Sequence, residues 1–188
     1  MSVKDQKKHN GVDVDQLMQT VNAIKDNPEL ARFNFRANST WVNGGHSKTT
    51  IKGFYGAGQE DTSRTKPFVI DGDEPPILLG GNAGPNAVES VLQALASCLM
   101  VGFSYNAAAQ GINVRSIELD LNGEIDLHGF LGLSDKIRPG YEGINLVYKT
   151  DCDAPPEKVA EIWAHVQKTS PVLDILTNPV PVTISPGR

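Results

Sequence analysis

Cysteine is scarce in this chain: there are 2 among 188 residues, Cys98 and Cys152, and they lack Cys-x-x-Cys spacing. That excludes a disulfide framework and a thiolate zinc site of the usual kind. In a reducing compartment both are expected to be thiols. Basic charge is in deficit as well, with 17 Lys and Arg against 22 Asp and Glu and a net charge of -5, which argues against nonspecific nucleic-acid binding. No apolar run of membrane-spanning length is free of polar residues, so no membrane association is expected. The N-terminal stretch Met1–Asn10 is polar, lacks the apolar core of a signal peptide, and is expected to be disordered. The expected location is the cytoplasm. His9, His46, His128 and His165 show no metal-ligand spacing with the acids, and the glycines of Gly80–Gly84 match neither a P-loop nor a dinucleotide fingerprint. Neither a metal nor a cofactor is expected.

What is present is a chain of single-domain length with clear periodicities. Val14, Leu17, Met18, Val21 and Ile24 follow helical spacing, with Asp13 or Asp15 as cap and Asn27-Pro28 as stop. Arg32–Val42 alternates and predicts a strand, Asn43-Gly44-Gly45 a turn, and Ser47–Phe54 the returning strand of a hairpin. Residues 56–61 read as a loop, and Pro67–Ile70 as a third strand. Gly80–Asn86 then turns sharply into a helix with Val88, Val91, Leu92, Leu95, Leu99 and Gly102 on one face, Asn86 as N-cap and Gly111 as its end. Cys98 lies in the middle of that uncharged helix. Val114–Ile125 and Tyr141–Thr150 read as strands, the first with an irregularity near Ser116. A glycine-studded connection joins them over residues 127–139. A helix carrying Val159, Ile162, Trp163 and Val166 follows Pro155-Pro156, Ser170-Pro171 breaks it, and Val180–Ile184 reads as a closing strand. Strands that cluster rather than alternate with helices predict an α+β fold with mostly antiparallel sheets.

Asp73-Glu74-Pro75-Pro76, Gly84-Pro85-Asn86-Ala87-Val88-Glu89, Ala94-Leu95-Ala96-Ser97-Cys98-Leu99, Ser170-Pro171-Val172 and Asn178-Pro179-Val180-Pro181-Val182 together resemble the OsmC/Ohr family. The resemblance runs from about Phe33 to the C-terminus. It implies an OsmC-like domain over 32–188, with residues 1–31 as an N-terminal tail and helical extension. The implied fold is an intertwined homodimer with two central cysteine-bearing helices and sites at the subunit interface. The implied chemistry is thiol-dependent reduction of organic hydroperoxides in oxidative-stress defence. A thiolate becomes a sulfenic acid, a second cysteine closes a disulfide, and a dithiol reopens it.

Cys98 stands at the position of the family's peroxidatic cysteine. Its place about three turns into the helix is beyond the reach of the helix dipole, so a thiolate there needs a tertiary partner. The family's arginine after the Gly-Gly of the hairpin is His46 here, either a cationic substitute or an exposed turn residue, and Arg36 and Arg64 are alternatives. The family's glutamate position is Val88, with Glu89 one residue later. On an ideal helix that shift turns the side chain by about 100°. Glu89 is then either a first-turn acid or a group reaching across the dimer. The resolving cysteine is replaced by Ser170, and Cys152 sits between Asp151 and Asp153, whose charges disfavour a thiolate. The candidate catalytic set is therefore Cys98, His46, Glu89 and Ser170.

Three functions fit. The first is a one-cysteine reductase of small hydrophobic hydroperoxides, served by an external thiol. The second is a dimer that binds an apolar ligand or senses redox state without turnover. The third is a thiol nucleophile acting on another electrophile, with Ser170 or His46 as hydrogen-bonding helper.

Overall fold

The computed structural model describes residues 8–187. It forms two compact units, one of residues 13–91 and one of residues 8–12 together with the chain from Leu92 onward. Of the N-terminal segment expected to be disordered, residues 1–7 lie outside the described residues. Residues 8–10 correct the expectation. His9 and Val12 exchange two backbone hydrogen bonds across a tight Asn10-Gly11 turn, both central residues having positive φ. The Asn10 side chain donates to the Ile112 carbonyl at 2.8 Å and accepts from the Val114 N–H at 3.0 Å.

The first unit opens with helix α1 (Val14–Asp26), capped by the Asp13 carboxylate accepting from the Gln16 N–H. Strands β1 (Asn38–Asn43) and β2 (His46–Ile51) form the expected hairpin around Gly44-Gly45, and β5 (Phe68–Gly72) pairs antiparallel to β2. Two expectations are corrected here. The strand over 32–42 begins only at Asn38, because Phe33 and Phe35 turn away to stack with each other and with Phe54. The expected loop over 56–61 is a small hairpin of β3 (Phe54–Gly56) and β4 (Gln59–Asp61), turned by Ala57 and Gly58 with positive φ.

In the second unit the core is built on helix α2 (Ala87–Ala109), whose first turns belong to the first unit. Leu95, Leu99, Phe103 and Ala107 recur at four-residue spacing and are buried. Gly111, with φ of +72°, ends the helix as expected, and the Ile112 and Gly111 N–H groups return to the carbonyls of Ala107 and Ala108. By length and composition alone α2 is apolar enough to cross a membrane, but its buried face is packed in this core.

Strands β6 (Val114–Gly123) and β7 (Ile144–Cys152) pair antiparallel, with the expected irregularity between Val114 and Ser116. Between them lies the short helix α3 (Leu127–Phe130). Helix α4 (Pro156–Thr169) contributes Ile162, Trp163 and Val166 to the core. The Trp163 ring lies 4.8 Å from Phe103 and 4.4 Å from Tyr148, and its indole N–H donates to Thr150. Helix α5 (Pro171–Thr177) follows directly. Residues 180–184 form no strand within the chain, and Val180, Val182 and Ile184 are exposed, which corrects the expected closing strand.

Candidate functional site

Helix α2 starts where it does because the loop before it is held from one carboxylate. Asp73, only 4% exposed, accepts the N–H groups of Glu74 at 2.8 Å, Gly81 at 3.0 Å and Ala83 at 3.1 Å. The hydrogen bonds from Ala83, Glu74 and Gly81 hold its carboxyl below the usual carboxylate range. The loop lies so close to this strand end that a side chain at Gly84 would meet the Asp71 carbonyl at 2.1 Å, and one at Gly80 the Glu74 carbonyl at 1.9 Å. Asn86 and Glu89 then close a reciprocal capping box, each side chain taking the other's backbone N–H at 2.8 Å.

Cys98 is half-buried on α2, and its Sγ lies 3.2 Å from Ser170 Oγ. Ser170 is 6% exposed and occupies the junction of α4 and α5. Its Oγ accepts the Leu173 N–H at 3.2 Å, capping α5. With Oγ already accepting there, the hydroxyl proton is free to point at the sulfur. A thiolate carries no proton of its own, so in that state Ser170 is the donor. The sequence offered Ser170, or else His46, as a hydrogen-bonding helper to the thiol; the two residues in contact are 72 positions apart.

His46 and Glu89 lie in the first unit, Cys98 and Ser170 in the second. His46 Nε2 lies 2.7 Å from Asp71 Oδ1, and the Lys48 ammonium stands 3.7 Å from the same oxygen. The His46 hydrogen bond, and then the Lys48 charge, lower the Asp71 carboxyl below its ordinary value. The two alternative arginines are also engaged. Arg36 pairs with Glu60, and Arg64 lies over the Phe54 and Phe68 rings at 5.2 and 5.3 Å while donating to the Lys52 carbonyl. Cys152 ends β7 and packs against the core; its carbonyl accepts from Arg115, which also pairs with Asp151. Asp73 entered the sequence reading only as part of a family motif, and the anchoring roles of Asp71 and Asp73 were not foreseen, although two aspartates at i and i+2 beside a strand end were the available signal.

A concave feature in the second unit is lined from the C-terminal end of α2 and from α4. It is a cleft of about 310 Å³ lined by Asn106, Gln110, Lys158, Glu161, Ile162 and His165.

Comparison with known proteins adds the following. A family model described as OsmC-like protein matches residues 80–185. No curated protein matches the chain. Among solved structures, an OsmC-like protein from Mycoplasma pneumoniae is 16% identical, with a TM-score of 0.58 over 78% of this chain and 89% of its own. An OsmC-like protein of unknown function from Vibrio cholerae is 14% identical, with a TM-score of 0.56 over 75% and 92%. An organic hydroperoxide resistance protein OsmC from Legionella pneumophila is 14% identical, with a TM-score of 0.52 over 77% and 90%. At these identities the structural likeness speaks for the fold.

Proposed function

The chain belongs to the OsmC-like protein family, and from that premise we propose that it is a one-cysteine, thiol-dependent reductase of organic hydroperoxides. A general stress-related role fits the family and the description of the Legionella neighbour. The finer reading is carried by one observation, the 3.2 Å contact between Cys98 Sγ and Ser170 Oγ. The Cys98 thiolate attacks the peroxide O–O bond; one oxygen stays on sulfur as a sulfenic acid and the other leaves as the alcohol. Ser170 has no thiol with which to close a disulfide, and Cys152 ends a different element, so the sulfenic acid is returned to the thiol by an external reductant.

The substrate is a small hydrophobic hydroperoxide, and the active form is a cytoplasmic homodimer. Support for the dimer comes from the surface. No apolar side chain is buried among the described residues of the first unit, while Trp41, Phe68, Val69 and Ile70 are exposed on its sheet. Val180, Val182 and Ile184 alternate and are exposed in the second unit, the pattern of a strand awaiting a ladder. Residues 32–188 make up the family's domain in this reading, with 1–31 as its extension.

A competing reading, an apolar-ligand or redox-sensing dimer without turnover, draws on the engagement of His46 with Asp71 and of Glu89 with Asn86. Hydroperoxide consumption by the purified chain with excess dithiol separates the two. The reductase reading expects turnover that Cys98→Ser abolishes and Cys152→Ser leaves in place. Consumption equal to that of Cys98→Ser overturns it, whereas stoichiometric oxidation of Cys98 without turnover favours the sensor.

A further inference from the structure

We propose that Asn10 is a site of self-catalysed backbone modification, and that its conversion to aspartate or isoaspartate releases the N-terminal strap from the second unit. The inference stands independently of the reductase reading. The strap is residues 8–12, which belong to that unit. The Asn10 side chain fastens it. Its amide donates to the Ile112 carbonyl at 2.8 Å, just past the end of α2, and accepts from the Val114 N–H at 3.0 Å, at the start of β6. One side chain thus takes a C=O and an N–H two residues apart, as a neighbouring strand would.

The residue that follows supplies the chemistry. The attacking atom is the backbone nitrogen of Gly11, and glycine puts no Cβ in its way. A Cβ built at Gly11 would meet nothing within 4 Å, so the tip of the turn stands open to water. The Gly11 N–H makes no hydrogen bond among the described residues, since the two bonds of the turn belong to His9 and Val12. In the reaction a bond forms between the Gly11 nitrogen and Asn10 Cγ, the Cγ–Nδ2 bond breaks, and the nitrogen's proton leaves with the side-chain nitrogen as ammonia. Water then opens the cyclic imide at one carbonyl or the other, giving aspartate or isoaspartate.

Neither product refastens the strap. Aspartate is an acceptor only, so an oxygen replaces the donor that faced the Ile112 carbonyl. Isoaspartate runs the main chain through Cβ, and the extra backbone atom breaks a two-residue turn. The same two hydrogen bonds hold the Asn10 amide while the strap is closed. The reaction therefore runs from the open strap and makes a reversible opening permanent. Opening also returns His9 Nε2 to water, a nitrogen that the closed strap buries without a partner among the described residues.

Two other Asn-Gly pairs in the chain serve as internal comparisons. Asn43-Gly44 lies exposed at the β1–β2 turn, and the Asn43 side chain makes no hydrogen bond among the described residues. Asn122-Gly123 lies inside β6, in register with Asn145 and Ile144, and a Cβ at Gly123 would meet the Tyr141 ring at 2.7 Å.

The test incubates the full chain at mildly alkaline pH and maps its peptides by mass, with isoaspartate detected by enzymatic methylation. A gain of about 1 Da is expected at Asn10 while Asn122 stays intact. Concentrated urea is expected to speed Asn10 at least about fivefold and Asn43 less than about twofold. No gain at Asn10, or a rate there that urea leaves unchanged, overturns the proposal. Asn10→Asp makes one product directly. Hydrogen exchange at the Val114 amide is expected to rise about tenfold, with exchange in α4 unchanged. Unchanged exchange at Val114, or an equal rise in α4, overturns the proposal.

Discussion

The two units of this chain are built on opposite terms. The second encloses a core of Leu95, Leu99, Phe103, Ala107, Ile112, Ile162, Trp163 and Val166 between two helices and a two-stranded sheet. In the first, the buried residues are a glycine, Gly56, and a carboxylate, Asp73. Its strands nevertheless carry Trp41, Phe68, Val69 and Ile70, side chains that normally find cover. The second unit is held by its own packing. The first is organised by polar pins, Asp73 on its loop and His46 with Lys48 on Asp71, and its apolar strand residues stand exposed.

Breaking the self-sufficient unit is expected to cost most. Trp163→Ala removes the ring between Phe103 and Tyr148 together with its hydrogen bond to Thr150, a loss of about 3–5 kcal/mol measurable by urea denaturation. A loss below about 1 kcal/mol would show that this core is not what holds the unit. The same kind of change in the first unit, Trp41→Ser with Phe68→Ser, is expected to act through association. Sedimentation would show the dimer giving way to monomer, and a variant that stays dimeric removes this sheet from the interface.

Acid sharpens the contrast. The carboxyls of Asp71 and Asp73 titrate below their ordinary values in the folded chain, so the stability they lend is present above about pH 4. It is lost as the pH falls through their folded values, and hydrogen exchange at Gly81 and Ala83 is expected to rise there before exchange in α4 does. Asp73→Asn is expected to raise exchange at Gly81 and Ala83 already at neutral pH. Unchanged protection would remove Asp73 as the loop's anchor.

The smallest change touches the thiol's partner. Ser170→Ala is expected to cost about 1 kcal/mol through the lost cap of α5 and to lower the rate of Cys98 alkylation at neutral pH. Ser170→Cys places a second sulfur within reach of the first and is expected to form a disulfide under mild oxidation, detected by thiol counting. Two free thiols persisting at these positions would contradict the geometry.

The helices were legible where periodicity and caps agreed. Asn86 and Gly111 were placed, and Asp13 was offered beside Asp15, from residue type alone, because a cap is a local hydrogen bond. The antiparallel strands and the irregularity by Ser116 were legible for the same reason. Phe33 and Phe35 were not, since alternation cannot distinguish a ladder from a ring stack. Residues 180–184 carry the pattern of a strand, but no strand among the described residues pairs with them. The site divides likewise. Cys98 and Ser170 were found through the family's motifs, but their contact depends on how α2 meets the α4–α5 junction. The partner of His46 was not foreseen, because it is set by a neighbouring strand, whereas Glu89 stands in the first turn beside the Asn86 cap, as one of its two readings had it.

The central claim, that Cys98 is a nucleophile poised by Ser170, is tested most directly by intact mass after one equivalent of an organic hydroperoxide at neutral pH. In a Cys152→Ser background the account predicts the addition of one oxygen, trapped by a sulfenic-acid reagent at Cys98 and slowed in Ser170→Ala. An unmodified mass, or the same rate in Ser170→Ala, would contradict it.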